Sequence, residues 1–241
     1  MKAQYNRTAM LFGGDAMEKL RQAKVAVFGV GGVGGYVCEA LARSGVGNLD
    51  LIDNDVVSES NINRQIIALR STVGRPKTEV MAERIKDMDP DINVRAVNMF
   101  FLPENASEIA LNAYDMVVDA IDTVSSKIYL AVECERLGVP LISSMGTGNK
   151  LDPTAFRISD IYKTSVCPLA RVMRTELKKR GVKHLKVCWS DETPRPSIDP
   201  KDLPEGEAPS GSRRATPASC AFVPSAAGLV IAAEVIKSLV K

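Results

Sequence analysis

The stretch VAVFGVGGVGGYVCEALARSGVGNLDLIDND (residues 25–55) joins a buried-strand pattern to a glycine-rich loop and then to a helical pattern. Gly29, Gly31 and Gly34 form a G-x-G-x-x-G motif directly after the strand. Glycines permit a tight turn and let a phosphate approach the backbone, and the helix N-terminus offers free N–H groups. Asp53 ends the next strand, where an acidic side chain can hydrogen-bond ribose hydroxyls. The stretch predicts a nucleotide site, with a turn that serves only helix–strand packing as the alternative.

Short apolar runs rich in β-branched residues alternate with helical patterns in the first part of the chain. Continuous apolar runs are typical of parallel strands that are covered on both faces. The βαβα order predicts an α/β fold with a doubly wound, mostly parallel, Rossmann-like sheet. Strands are expected at 24–30, 48–53, 92–97, 115–121 and 139–145, and helices near 33–44, 76–88, 104–112 and 125–137.

The pattern changes after residue 150, and an antiparallel extension with a final helix is expected there. A proline-rich segment at about 190–219 predicts a flexible loop or crossover. We divide the chain into a nucleotide-binding region, 1–150, and an extension of the same domain, 151–241. The elements expected in the extension are strands at 154–164 and 185–190, a helix at 168–181, and a helix at 225–240 with Ser225 as its N-cap.

Composition excludes several classes of protein. The 241 residues are 45% hydrophobic and 25% charged with a net charge of +2, as in an ordinary globular protein. The apolar run at 226–241 contains Glu234 and Lys237, so no membrane span is expected. The expected location is the cytoplasm. Five cysteines without a C-x-x-C pair, and a single histidine, argue against a disulfide framework and a structural zinc site.

Two cysteines are candidate thiols for chemistry. Cys167 opens a helical pattern, where the helix dipole favours the thiolate. Cys188 lies on a predicted strand. The alternative is that neither has a covalent role. Cys38 and Cys134 sit inside helical patterns and are expected to be small core residues.

Polar and basic residues after the glycine loop favour ATP over a nicotinamide coenzyme. Asn61, Arg64, Gln65 and Lys77 follow the second strand. A triphosphate attacked at its α-phosphorus needs cations to offset charge on the attacked group and the leaving pyrophosphate. Asp122 follows the fourth strand, at the ligand-binding edge of the sheet, where a carboxylate suits Mg²⁺. Taken singly, these residues are equally consistent with surface charges and a helix cap.

Four segments give the chain a family resemblance. They are GVGGVGG (29–35), DNDVVSESNINRQ (53–65), VGRPKTEVMAERI (73–85) and DAIDT (119–123). They resemble the adenylating domain of the ubiquitin-activating-enzyme, or ThiF-type, family, over about residues 5–150. The resemblance implies a homodimer in which a carboxylate attacks the α-phosphate of ATP and becomes an acyl-adenylate.

The same resemblance assigns roles to residues. Asp53 would contact the ribose. Asn61, Arg64 and Lys77 would contact the phosphates, and Asp122 would position a Mg²⁺ ion held through those phosphates. Arg7 resembles an arginine that enters the neighbouring subunit's site. The implied catalytic set is Arg64, Lys77, Asp122 and Arg7, and the implied nucleotide-binding set is Gly29, Gly31, Gly32, Gly34, Asp53, Asp55, Asn61, Arg64, Gln65, Lys77 and Asp122.

The C-terminal half resembles a particular branch of that family. Members that activate sulfur-carrier proteins commonly carry two C-x-x-C pairs, which this chain lacks. GNKLDPTAFRISDIYKTSVCPLARVMRTELKKRG (148–181) resembles the branch that dehydrates threonylcarbamoyladenosine in tRNA, and Cys188 matches a cysteine on its corresponding strand. The resemblance implies ATP-dependent cyclisation of that tRNA nucleoside. Adenylation of a ubiquitin-like sulfur carrier is the alternative, and a sulfur-transfer partner protein is left open.

Charge along the C-terminal half is consistent with a tRNA partner. Residues 163–186 contain eight Lys or Arg and one acidic residue, Glu176. Such a cluster suits tRNA phosphates, although a solvated helix face gives the same pattern. Tyr162 or Trp189 could stack on a base, with a core position as the alternative.

Overall fold

One seven-stranded sheet organises the protein, in a computed structural model that describes residues 2–198 and 217–241. Its strands are β1 (Lys24–Phe28), β2 (Asn48–Asp53), β3 (Asn93–Asn98), β4 (Met116–Asp119), β5 (Leu141–Ser144), β6 (Phe156–Asp160) and β7 (Lys186–Ser190). Their spatial order is β3-β2-β1-β4-β5-β7-β6. Only the β6–β7 pair is antiparallel. The predicted doubly wound, mostly parallel sheet with an antiparallel C-terminal extension is confirmed.

Helices cover both faces of this sheet. They are α1 (Asn6–Phe12), α2 (Gly14–Gln22), α3 (Gly34–Arg43), α4 (Lys77–Met88), α5 (Val124–Leu137), α6 (Pro168–Lys179) and α7 (Phe222–Leu239). Helices α3, α4 and α7 share one apolar core with β1 and β2, and α5 and α6 contribute to the cores of the other face. Two-sided coverage explains the continuous apolar runs of the central strands.

The strand order reverses between β1 and β4, because the chain continues from β1 outward through β2 and β3 and then returns to pair β4 with β1. In open α/β sheets a crevice forms at such a point, outside the carboxyl ends of the strands. The glycine loop follows β1 and the DAIDT segment follows β4, so the fold brings both to this crevice.

Helix α7 is long and apolar enough by composition to cross a membrane. Its residues Ala227, Ile231 and Val235 are, however, fully buried in the core that it shares with α3. Gly228 permits this close packing, since a Cβ atom there would lie 2.5 Å from the carbonyl oxygen of Val33. The apolar character of α7 is thus explained by burial within the protein.

Several local predictions were wrong. Residues 104–112 form two short 3-10 turns in place of a helix, and β6 ends at Asp160 because the chain turns there. The last helix starts at Phe222, so Ser225 lies inside it, and its hydroxyl donates to the carbonyl of Ala221. Edge strand β3 is largely exposed, unlike the other parallel strands. Most of the segment predicted as flexible, 190–219, lies outside the described residues.

Candidate active site

A cavity of about 490 Å³ opens at the carboxyl ends of β1, β2 and β4. Residues from all four motif segments line it, so the fold brings these segments together around one cavity. A larger cavity, about 830 Å³, contains none of the predicted site residues and is bordered by the N-terminal residues and the start of β2. The predicted residues that line the crevice cavity are Gly29, Gly31, Gly32, Asp53, Asp55, Asn61, Arg64, Gln65, Lys77 and Asp122.

The glycines of the loop have different reasons to be glycine. Gly29 has a φ of +86°, and a Cβ there would lie 2.6 Å from the carbonyl oxygen of Ala120. A Cβ on Gly34 would lie 1.7 Å from the carbonyl oxygen of Gly29, so α3 can start only with a glycine at that point. Gly31 has no such conflict, because the nearest atom to its Cβ position is the Gln65 amide nitrogen at 3.7 Å. Gly29 and Gly34 therefore shape the loop, and Gly31 keeps its cavity side open.

Asp53 holds the loop in place while facing the cavity. One carboxylate oxygen accepts a hydrogen bond from the backbone N–H of Val30 at 2.7 Å, and the other accepts from that of Asp55 at 2.8 Å. Carboxylate oxygens have further lone pairs. The side chain can therefore accept hydrogen bonds from ribose hydroxyls without releasing the loop.

Lys77 supplies a buried cation at the first residue of α4. Its ammonium group donates to the Asp55 carboxylate at 2.6 Å, and that carboxylate is 59% exposed. The N-terminal end of a helix such as α4 also attracts anions, because of the helix dipole and its N–H groups. A phosphate entering the cavity could thus be bound by Lys77 in place of Asp55.

Arg64 provides a second cation, half-buried at the cavity wall. Its guanidinium donates to the carbonyl of Ser60 and to the side-chain oxygen of Asn63, both at 3.0 Å. In the described part of the chain it forms no ion pair with a carboxylate. Its charge is therefore available to an anionic ligand.

Gln65 and Asn61 are buried polar side chains beside the glycine loop. The Asn61 oxygen accepts from the backbone N–H of Ser58 at 3.1 Å. The side-chain oxygen of Gln65 is buried without a hydrogen-bond partner among residues 2–198 and 217–241. Buried polar atoms are seldom left unpaired in native proteins. This unpartnered amide favours a polar ligand in the cavity.

Asp122 is the carboxylate with the most free coordination capacity. It is exposed, and its recorded side-chain partner is the Thr123 hydroxyl, at 3.5 Å. By contrast, the carboxylates of Asp53 and Asp55 are already hydrogen-bonded. No cluster of three or more His, Cys, Asp or Glu residues exists in the described part of the chain. A Mg²⁺ ion here would therefore depend on phosphate oxygens for most of its ligands.

A buried ion pair that the sequence reasoning missed lies directly beneath Asp122. Lys127 donates to both carboxylate oxygens of Asp119 at 2.9 Å, and Ser143 donates to the same carboxylate at 2.5 Å. Asp119 also accepts from the backbone N–H of Ile121 at 3.2 Å, which fixes the turn that carries Asp122. Asp119 is the first residue of the quoted DAIDT motif, but nothing in that motif identifies a lysine eight positions later as its partner.

The C-terminal half also contributes to the cavity wall, which sequence reasoning did not anticipate. Thr147, Ser219 and Pro224 line it. Asn149 has a φ of +60°, and its side-chain oxygen accepts from the N–H of Ala218 at 2.7 Å. This contact holds the chain beside Ser219. No residue-type signal marks these positions, since their role arises only when the two halves meet.

Four predicted residues do not line the cavity: Gly34, which shapes the loop, and Arg7, Cys188 and Cys167. Arg7 is exposed on α1. Cys188 is 1% exposed, and burial raises the pKa of its thiol to about 12. Cys167 is 2% exposed, with its sulfur 3.7 Å from the Cβ position of Gly146. Both cysteines have the surroundings of core residues.

A doubly wound sheet with a glycine loop, an acid at the end of β2 and two cations at one crevice defines a nucleotide-binding protein equipped for chemistry at phosphorus. The chain belongs to the ThiF family, whose profile matches residues 5–241. It is 45% identical over 245 residues to the tRNA threonylcarbamoyladenosine dehydratase of Bacillus subtilis, covering 100% of this chain and 96% of that one.

Solved structures agree with this placement. The fold matches Escherichia coli tRNA N6-threonylcarbamoyladenosine dehydratase in complex with ATP, with a TM-score of 0.86 and 34% identity. The match covers 98% of this chain and 93% of that one. The molybdopterin-synthase adenylyltransferase of Escherichia coli matches a smaller part of the chain, with 36% identity over 65% of this chain and 63% of the relative.

Proposed function

We propose that the protein is an ATP-dependent adenylating enzyme that cyclises threonylcarbamoyladenosine in tRNA, with loss of water. The observation that carries the chemistry is the crevice where Asp53, Arg64, Lys77 and Asp122 meet beside the glycine loop. The full-length similarity to a relative named for this dehydration supports the choice of substrate.

In the proposed reaction the substrate carboxylate attacks the α-phosphorus of ATP, and the bond to the departing pyrophosphate breaks. Arg64 and Lys77 stabilise the charge that develops on the phosphoryl oxygens and the leaving group. A nitrogen of the same threonylcarbamoyl group then attacks the activated carbonyl carbon, AMP leaves, and the N–H proton is released. Because nucleophile and electrophile belong to one group, the second step has a high effective concentration and needs no enzyme thiol. The burial of Cys167 and Cys188 is consistent with that route.

Further parts of the proposal concern cofactor, assembly and location. Asp122 is proposed to hold Mg²⁺, which would neutralise phosphate charge when bound. A homodimer is proposed in which Arg7 reaches the neighbouring site, and Met10 and Leu11 beside it on α1 are exposed apolar side chains that a second subunit could cover. Region 1–150 is assigned to ATP chemistry and region 151–241 to the acceptor side, in a cytoplasmic enzyme. A sulfur-transfer partner has no supporting observation in the described residues.

The proposal is tested by incubating purified protein with ATP, Mg²⁺ and threonylcarbamoylated tRNA. We expect AMP, pyrophosphate and a nucleoside lighter by one water in mass spectrometry. Controls are tRNA without the modification and the Lys77→Ala variant, neither of which should yield product. Pyrophosphate exchange that requires a Gly-Gly-ended carrier protein and ignores tRNA would instead identify a sulfur-carrier adenylyltransferase.

A further inference from the structure

We infer that the exposed face of α6 and the two segments beside it form the surface that binds the tRNA backbone. This inference rests on the proposed function and locates its macromolecular substrate on the enzyme. Residues 163–186 are strongly basic, but sequence alone does not distinguish solvated charges from a binding surface. The partners of each cation in the structure make that distinction.

Half of the cations in this region are already engaged. Lys179 and Arg180 pair with Glu176, and Lys186 pairs with Glu234, at 2.6 to 2.8 Å. Arg174 donates to the backbone carbonyl of Thr164. These four side chains stabilise the fold locally. Three of them share two carboxylates, Glu176 and Glu234, and Arg174 keeps its full charge beside a neutral carbonyl.

The other four cations are exposed, and in the described part of the chain none of them has an ion-pair partner. They are Lys163, Arg171, Lys178 and Lys183, which we call the α6 basic surface. Unbalanced cations repel one another, and an anionic partner would relieve that repulsion. A polyanion with regularly spaced charges, such as an RNA backbone, meets that need.

Contacts between the segments place the four cations on one side of the molecule. Arg171 and Lys178 are two helical turns apart, about 10 Å, on the same face of α6. The hydroxyl of Tyr162 donates to the carbonyl of Val182 at 2.6 Å, which brings the neighbours Lys163 and Lys183 together. Arg174 lies between Arg171 and Lys178 on that face and donates to the carbonyl of Thr164, the residue next to Lys163. The four cations therefore lie along α6 and the segments that contact it.

The α6 basic surface starts beside the proposed catalytic crevice. The first turn of α6 packs against the loop after β5, since the Cβ position of Gly146 lies 3.8 Å from Leu169. Thr147, the next residue, lines the cavity. From there α6 runs along the sheet toward the start of β7. An RNA stem bound on this surface would thus lie beside the crevice and could present a nucleotide from its loop to ATP.

The test replaces all four cations with glutamine, as Lys163→Gln, Arg171→Gln, Lys178→Gln and Lys183→Gln in one variant. The control variant removes the same charge from four exposed cations elsewhere: Lys19→Gln, Arg21→Gln, Arg70→Gln and Lys86→Gln. Affinity for threonylcarbamoylated tRNA is measured at several salt concentrations, together with ATP affinity and cyclisation rates.

We expect the α6 variant to bind tRNA at least about tenfold more weakly and to lose about 3 to 4 from the slope of log affinity against log salt. Its ATP affinity should remain that of the wild type, which also shows that it is folded. The control variant should keep most of its tRNA affinity. An unchanged slope in the α6 variant, or an equal loss in the control, would overturn the inference. A wild-type enzyme that binds ATP but never cyclises the nucleoside would contradict the proposed function instead.

Discussion

At the scale of single residues, the site depends on how each polar group is already paired. Asp53 is held by two backbone N–H groups, Lys77 by one exposed carboxylate, and Arg64 by a carbonyl and an amide. Of the two buried side-chain atoms without a hydrogen-bond partner in the described residues, the Gln65 oxygen and the Thr78 hydroxyl, the one on Gln65 belongs to a cavity residue. Because Arg64 has no carboxylate partner in the described residues and Lys77 has an exposed one, we propose these two as the cations for a triphosphate.

Replacing Lys77 with alanine is expected to reduce kcat for cyclisation by about 10²–10³-fold, the usual effect of removing one preorganised charge. Its partner Asp55 is 59% exposed, so the unpaired carboxylate stays hydrated and the free energy of unfolding should change little. Arg64→Ala should behave similarly. Single-turnover rates and urea melts check both effects. The control is Lys86→Ala on the same helix, since that exposed lysine contacts only the Pro90 carbonyl. Wild-type turnover in both cavity variants would remove their proposed roles.

Replacing Cys188 with alanine should leave cyclisation unchanged, because the buried thiol does not reach the cavity. The substitution should change how the free energy of unfolding depends on pH at high pH. Burial raises the pKa of this thiol from 9.0 to about 12, so the unfolded chain ionises first as pH rises. The stabilisation is complete below pH 9 and is lost between pH 9 and about 12. Denaturant melts across that range should fall less steeply for Cys188→Ala than for the wild type. Loss of product formation in the variant would instead support a catalytic thiol.

At the scale of elements, the sequence predicted well where a pattern was strong and local. Strands β1 to β5, and the helices after β1 and β4, follow from apolar runs and turn residues. The helix predicted at 104–112 was wrong because two short turns bury the same apolar residues. These turns pack Ala106 and Leu111 into the core without a helix. The Asp119–Lys127 pair and the Asn149 contact could not be predicted, since each joins residues whose proximity depends on tertiary structure.

The strand–loop–helix unit allows two glycine substitutions to be distinguished. Gly31→Ala should leave stability near that of the wild type, because its Cβ position is free, yet it should weaken ATP binding by narrowing the phosphate side of the cavity. Gly34→Ala should lower the free energy of unfolding by about 1–3 kcal/mol or more, because its Cβ collides with the Gly29 carbonyl. The variant should therefore unfold at a lower denaturant concentration. Urea melts and calorimetric titration of ATP measure both. Equal stability losses in the two variants would contradict this division of roles.

At the scale of the whole molecule, the two halves of the chain meet at one crevice. β6 and β7 extend the same sheet as the nucleotide-binding strands, and the loop after β5 borders both the cavity and α6. A reaction that joins ATP to a macromolecular carboxylate needs such an arrangement, with phosphate groups on one side and acceptor contacts on the other. Arg7 is exposed on α1 and does not line the crevice of its own chain, which makes the proposed dimer testable.

If Arg7 acts in the neighbouring subunit's site, then Arg7→Ala and Lys77→Ala should each be inactive alone and recover activity when mixed. In a mixed dimer, the Arg7→Ala chain keeps its own Lys77 and receives Arg7 from its partner, so one of its two sites is complete. With random exchange of subunits half of the dimers are mixed, and activity should approach roughly a quarter of the wild-type value. The mixture is unfolded and refolded together to allow exchange, and light scattering checks the dimer. The control is a mixture of the single variants Lys77→Ala and Arg64→Ala. Both residues belong to the site of their own chain, so every site in this mixture lacks one of them and the mixture should stay inactive. Failure of the Arg7 and Lys77 mixture to recover would place Arg7 outside the catalytic set.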